Sequence, residues 1–129
     1  MTALGHHILL DFYECEPNRL KRSREIKAIL CAAVRAGGGR IVKAVFHNFS
    51  PYGVTGVVVI TESHVAIHTW PEHRYAAVDI FSCSAKLDHA AIRGYLNRAL
   101  LAKRTSRRRF RRGVLRKPSL IPSTGPDRS

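Results

Sequence analysis

Acidic residues are scarce in this sequence. Nine Asp and Glu stand against 22 Lys and Arg, for a formal charge of +13. That imbalance first points to an anionic partner. Cysteine is also rare. Cys15, Cys31 and Cys83 are odd in number, and no C-x-x-C occurs. Neither a disulfide framework nor a zinc site is implied, and reduced thiols of a cytoplasmic protein are the expectation. No apolar run approaches the ~20 residues of a membrane span, and residues 1–7 lack the basic and apolar regions of a signal peptide. No Gly-rich phosphate loop, H-E-x-x-H or G-x-S-x-G is present, which removes the common nucleotide, zinc-peptidase and serine-hydrolase signatures. No metal is expected.

The charge is unevenly distributed. Residues 103–129 hold ten of the Lys and Arg and a single acid, Asp127, leaving 12 basic and eight acidic groups in residues 1–102. The rest of the chain is mildly basic and has ordinary globular composition, 45% hydrophobic and 24% charged overall. Its length of 129 residues suits one domain. The expected division is a domain over 1–103 and a basic, flexible tail over 104–129. The tail is read as solvated, with an anion- or nucleic-acid-binding arm as the functional alternative.

Within the domain the hydrophobic period changes from element to element. Residues 7–13 read as a strand. Glu16-Pro17-Asn18 reads as a helix start, followed by an apolar stripe at Ile26, Ile29, Leu30, Ala33 and Val34 and a stop at Gly37-Gly38-Gly39. Residues 40–49 and 54–60 read as strands around a Ser50-Pro51-Tyr52-Gly53 turn. The second is apolar on both faces, as a central strand is. In 64–69, His64, Ala66 and His68 face one way and Val65 and Ile67 the other. Trp70 to His73 breaks that strand and 75–82 forms another. Asp88 is a candidate N-cap for a second helix with the stripe Ala91, Ile92, Tyr95, Leu96, Ala99 and Leu100. The order β-α-β-β-β-β-α with short turns predicts an α+β fold: a two-layer α/β sandwich, mainly antiparallel, with two helices on one face.

The candidate chemistry lies in residues 61–83, TESHVAIHTWPEHRYAAVDIFSC. Glu62-Ser63 joins two strands, His68 follows five residues on, and Cys83 ends the next strand. Neighbouring strands lie ~5 Å apart, so groups near their ends can converge. Taken singly, each residue has an ordinary role: Ser63 in a turn, His68 as a hydrogen-bonded histidine, Cys83 as a small apolar group, Phe49 in a core and Glu72 on a surface.

Their order carries more. Phe49-x-Pro51-Tyr52-Gly53-Val54, Glu62-Ser63-His64, Ile67-His68-Thr69-Trp70-Pro71-Glu72 and Ala76 to Phe81 with Cys83 resemble the short, pyruvoyl-dependent S-adenosylmethionine decarboxylase proenzymes of bacteria and archaea. Leu4-Gly5-His6 and Phe12-Tyr13-Glu14-Cys15 fit the opening of that family, and the likeness spans residues 4–103. The resemblance implies self-cleavage between Glu62 and Ser63, giving chains 1–62 and 63–129. Ser63 becomes a covalent pyruvoyl group that forms a Schiff base with the substrate and serves as electron sink. It further implies His68 as the proton acceptor in processing, Thr55 (where the family usually has Ser) as a supporting hydroxyl, and Cys83 as the proton donor in catalysis. Phe49 would stack on adenine and Glu72 would bind the ribose hydroxyls. The implied substrate is S-adenosylmethionine, the product an aminopropyl donor for spermidine, and the assembly a homodimer whose protomers share each site. Arginine or ornithine is the rival substrate. A non-enzymatic protein binding nucleic acid through the tail is the rival class. The family usually continues after the second helix with an apolar strand and a polar, acidic end. Here 103–117 reads KRTSRRRFRRGVLRK, nine basic residues in fifteen.

Overall fold

A computed structural model describes residues 2–115. Six strands, β1 (Thr2–Tyr13), β2 (Ile41–Asn48), β3 (Val54–Ile60), β4 (Ser63–Trp70), β5 (Tyr75–Ser82) and β6 (Arg104–Leu115), form one sheet in the order β2-β3-β4-β5-β1-β6. Every neighbouring pair is antiparallel. Two helices, α1 (Ser23–Ala36) and α2 (His89–Ala99), cover one face. This is the expected α+β sandwich.

Alternation along the strands builds the core. Ile8, Leu10 and Phe12 of β1, Val65 and Ile67 of β4, and Val78 and Ile80 of β5 are all buried toward the helices. Ile26, Leu30 and Val34 of α1 and Ile92 and Leu96 of α2 meet them. β3 is internal, as its apolar character predicts, yet Val59 on its other face is 41% exposed. At Gly56 the ring of Phe46 on β2 lies 2.0 Å from where a Cβ would stand. Gly56→Ala is therefore expected to lower stability by about 1–3 kcal/mol through overpacking, read as a lower urea midpoint at unchanged slope.

Two expectations need correction. The helix does not begin at Glu16-Pro17. Pro17–Arg19 form one 3₁₀ turn capped by the Glu16 side chain, and the chain is extended again at Arg22. The Leu20 side chain is buried and its carbonyl accepts the Thr69 hydroxyl at 2.8 Å, which draws the backbone out of a helical path. The start of α1 is supported from a distance: Asn48 Oδ1 accepts the Ser23 N–H at 2.6 Å, and Asn48 Nδ2 donates to the Lys21 carbonyl at 2.8 Å. No local residue announces such a cap.

The second correction concerns the tail expected from residue 104. Arg104–Leu115 form β6, paired with β1 from Thr2↔Leu115 to Tyr13↔Arg104. An edge strand needs backbone partners more than a buried side-chain face, so a run of arginines can occupy it while its charges stay in water. Thr105 donates to Asn97 of α2 at 2.6 Å, and the Arg104 guanidinium stacks over Tyr13 at 4.0 Å. The remainder of the expected tail, 116–129, lies outside the described residues.

Candidate active site

The β3–β4 connection is a two-residue hairpin turn, Thr61-Glu62, closed by the pair Ile60↔Ser63. Glu62 has φ 62°, a left-handed conformation. Gly or Asn would adopt it readily, whereas a Glu stores roughly 1–2 kcal/mol there. The strain falls on the residue whose carbonyl joins Ser63. That carbonyl accepts the Cys83 N–H at 3.2 Å. It is thus held in orientation and polarised by a fixed dipole, the arrangement that stabilises negative charge on an attacked carbonyl oxygen.

The Ser63 hydroxyl is half-buried and donates to Ser82 Oγ at 3.3 Å. Ser82 is fully buried; its hydroxyl donates to the Ser84 carbonyl at 2.9 Å and accepts the Ser84 N–H at 3.1 Å. Ser82 therefore fixes the position of the Ser63 oxygen, a role not recognised from the sequence. The available signal was the small polar run Ser82-Cys83-Ser84 ending an alternating strand. A cleft of about 480 Å³ opens beside these groups, lined by Gly39, Arg40, Glu62, Ser63, Ser84 and Lys86 among others.

Cys83 is exposed, whereas Cys15 and Cys31 are buried. Burial pushes the Cys15 thiol up to about 11. Reactivity requires an accessible thiolate. A thiol reagent is accordingly expected to modify one cysteine rapidly in the native protein, Cys83, and the other two only on unfolding; peptide mass mapping reads this directly.

His68 and Thr55 are cross-strand partners, with Thr55 Oγ1 3.0 Å from His68 Nδ1. They do not meet Ser63. Five residues of extended strand separate Ser63 from His68, about 16–17 Å. His68 also faces away from the helices, whereas Ser63 aligns with the buried Val65 and Ile67. Phe49, 51% exposed beside the β2–β3 turn, and Glu72, exposed in the 3₁₀ turn Pro71–His73, lie at the same end of the sheet as His68. Trp70, Tyr75 and Tyr13 stack in sequence there, at centroid distances of 5.3 and 5.4 Å. The predicted residues thus form two groups: Glu62, Ser63 and Cys83 at one end of β4, and Phe49, Thr55, His68 and Glu72 at the other. The convergence of His68 with Ser63 and Cys83 does not occur within this chain.

The fold and the hairpin define a two-layer α+β protein that presents a serine hydroxyl beside a strained, polarised peptide carbonyl. Its relatives share this architecture. The family model for S-adenosylmethionine decarboxylase matches residues 6–113. An S-adenosylmethionine decarboxylase proenzyme of Acetivibrio thermocellus is 43% identical over 92% of this chain and 95% of its own length. One from Thermotoga maritima is 46% identical over 81% of this chain and 80% of its own. The crystal structure of the adenosylmethionine decarboxylase from Aquifex aeolicus VF5 superposes with a TM-score of 0.83 at 32% identity, covering 91% of this chain and 97% of that one. The chain belongs to the S-adenosylmethionine decarboxylase family.

Proposed function

We propose that this chain cuts itself between Glu62 and Ser63 and then decarboxylates S-adenosylmethionine. The observation that carries the reading is the hairpin: a strained Glu62 whose carbonyl is held by the Cys83 N–H, with the Ser63 hydroxyl positioned by Ser82. Attack of Ser63 Oγ on the Glu62 carbonyl carbon forms an ester as the C–N bond breaks and the nitrogen becomes an amine. Removal of the Ser63 Cα proton then expels the Glu62 carboxylate. The resulting dehydroalanine exchanges its nitrogen for water and releases ammonia, leaving residue 63 as a pyruvoyl group. The residues at the hairpin fit that group. It supplies a carbonyl that takes up the substrate amine and accepts the electron pair freed as CO2 leaves.

His68 serves as the proton acceptor in the elimination, oriented by the Thr55 hydroxyl. Cys83, at the Ser63 end and accessible, returns a proton to the substrate carbon. Phe49 stacks on adenine, and Glu72 accepts the ribose hydroxyls. Because the two groups sit some 16–17 Å apart on one chain, the complete site belongs to a homodimer. A two-fold arrangement of open sheet faces, antiparallel to each other, sets the Ser63 end of one protomer against the His68 end of its partner. Val45 and Val59, 58% and 41% exposed, give that face apolar surface for burial.

Release of CO2 from carboxyl-labelled S-adenosylmethionine, arginine and ornithine tests the substrate. Only the first is expected to turn over, because a simple amino acid needs neither the Phe49 stack nor the Glu72 acceptor. Turnover of arginine or ornithine in its place would overturn the assignment. In the same assay Cys83→Ala is expected to cleave normally yet lose about 10²–10⁴-fold in decarboxylation, the usual contribution of a positioned acid. Equal loss of both steps would remove Cys83 from the donor role.

A further inference from the structure

Beyond Asp88, which caps α2, positions 89–115 hold nine Lys and Arg and no Asp or Glu. The fold gathers these charges at one edge of the molecule. β6 is the outermost strand, and its register sorts its arginines into two rows. Arg104, Arg108 and Arg112 share the open sheet face, opposite Tyr13, Leu9 and Gly5. Arg107, Arg109 and Arg111 share the helix-side face, opposite Leu10, Ile8 and His6. The bond from Thr105 to Asn97 fixes that orientation, because Thr105 belongs to the helix-side row. All three helix-side arginines are exposed.

A cleft of about 430 Å³ continues the row between α2 and β6, lined by Arg93, Gly94, Asn97, Lys103 and Thr105. The ion pair that β6 makes among the described residues, Arg104 with Glu14 at 3.9 Å, lies with the other row. Burial, then Arg109 and His6, push the pKa of nearby His89 down. Asp88 opposes them in part, so the positive field of the edge reaches the start of α2, where that carboxylate is the nearby countercharge among the described residues.

Charge on an edge strand ordinarily prevents sheets from pairing edge to edge, and Lys is the usual choice. This strand carries six arginines and no lysine in twelve residues. Arginine presents a planar fork that meets phosphate oxygens in pairs, which edge protection does not require. Same-face residues on a strand repeat every ~7 Å along a nearly straight line. That geometry follows an extended polyanion rather than a single small anion. Among the described residues the edge is the strand β6 itself, with no helix placed beyond it to enter a duplex groove, and the helix-side row has no aromatic residue to read bases.

The geometry points to a binding edge for single-stranded nucleic acid, in which Arg107, Arg109 and Arg111 with Arg93 and Lys103 track the phosphate backbone without reading sequence. The surface lies on the helix side, away from the open sheet face, so pairing of protomers through that face leaves it accessible. The inference does not depend on the decarboxylase reading.

Fluorescence anisotropy of a labelled oligouridylate of about 20 nucleotides, titrated with the processed protein from about 50 to 200 mM NaCl, tests it. Five groups at about −0.7 per phosphate give an expected slope of log K on log salt near −3.5. An oligothymidylate is expected to bind equally, since phosphate contacts carry no sequence information. Replacing Arg107, Arg109 and Arg111 together by Ser is expected to reduce the slope by about 2 and to weaken binding at least about 10-fold, with self-cleavage and decarboxylation unchanged. Because that variant alters β6, Arg93→Ser with Lys103→Ser provides a second test off the strand, with an expected loss of about 1.4 in slope. Failure to bind at the lowest salt, an unchanged slope in both variants, or capture by phosphatidylserine vesicles but not by oligonucleotides would each overturn the proposal.

Discussion

A Ser63→Ala chain is expected to remain one uncut species near the 14.4 kDa of the whole chain, while the unaltered chain yields fragments 1–62 and 63–129. Intact mass measurement reads the difference without an activity assay. The larger fragment should resist N-terminal sequencing and react with carbonyl reagents, because its first residue carries a keto group in place of an amine. The loss of decarboxylation should be at least about 10⁶-fold, the low end of what enzymes supply, since no other group of this chain can act as electron sink. The left-handed conformation of Glu62 and the bond from the Cys83 N–H to its carbonyl are backbone features that survive this substitution, and the bond from Ser63 to Ser82 is lost with the serine oxygen. A folded, uncut protein is therefore the expected product. Cleavage at 62/63 in Ser63→Ala would show that the hydroxyl is not the nucleophile, and a single uncut species from the unaltered chain would sink self-processing altogether.

Co-expression of two inactive variants tests the sharing of sites. Ser63→Ala and His68→Ala should each be dead alone. If each site draws Ser63 from one protomer and His68 from its partner, the mixed dimer contains one intact site and one doubly altered site. Random pairing then restores about one quarter of the wild-type sites, visible both as cleaved chain and as CO2 release. Ser63→Ala with Cys83→Ala serves as the control. Both residues lie at the same end of β4, so no mixed dimer contains a complete site and activity stays absent. Recovery in the control but not in the test pair would reverse the assignment of the two ends. No recovery in either would confine the chemistry to one chain, where His68 would have to reach Ser63 across five strand residues.

Much of the architecture was legible because it is periodic. The alternation of Val65 and Ile67 against His64 and His68 is a local property, as is the stripe Ile92, Leu96 and Leu100, and both survive folding unchanged. The start of α1 was not legible, because its cap is Asn48, 25 residues away in sequence from Ser23. β6 was missed for a different reason. A strand recognised by an apolar face needs a face to bury, and Arg104–Leu115 instead answer the unpaired backbone of β1. Of the site, Ser63 and Cys83 were legible from the family resemblance, whereas Ser82 was not. Its importance comes from the register Ser63↔Ser82, which aligns two residues 19 apart.

What the sequence alone determined is the inventory: which side chains can act as nucleophile, base and acid, and which faces of which elements are apolar. Those follow from residue identity and from repeats of two or about three and a half residues, which need no tertiary context. Tertiary structure decided which members of that inventory meet. It bent Glu62 into a left-handed turn, brought Cys83 to the Glu62 carbonyl and Ser82 to the Ser63 hydroxyl, and put His68 at the far end of the same strand. It also turned a basic run into an ordered edge. The physical reason is that strand register and sheet order are set by pairings between distant segments, and a shift of one residue would send every one of these side chains to the other face.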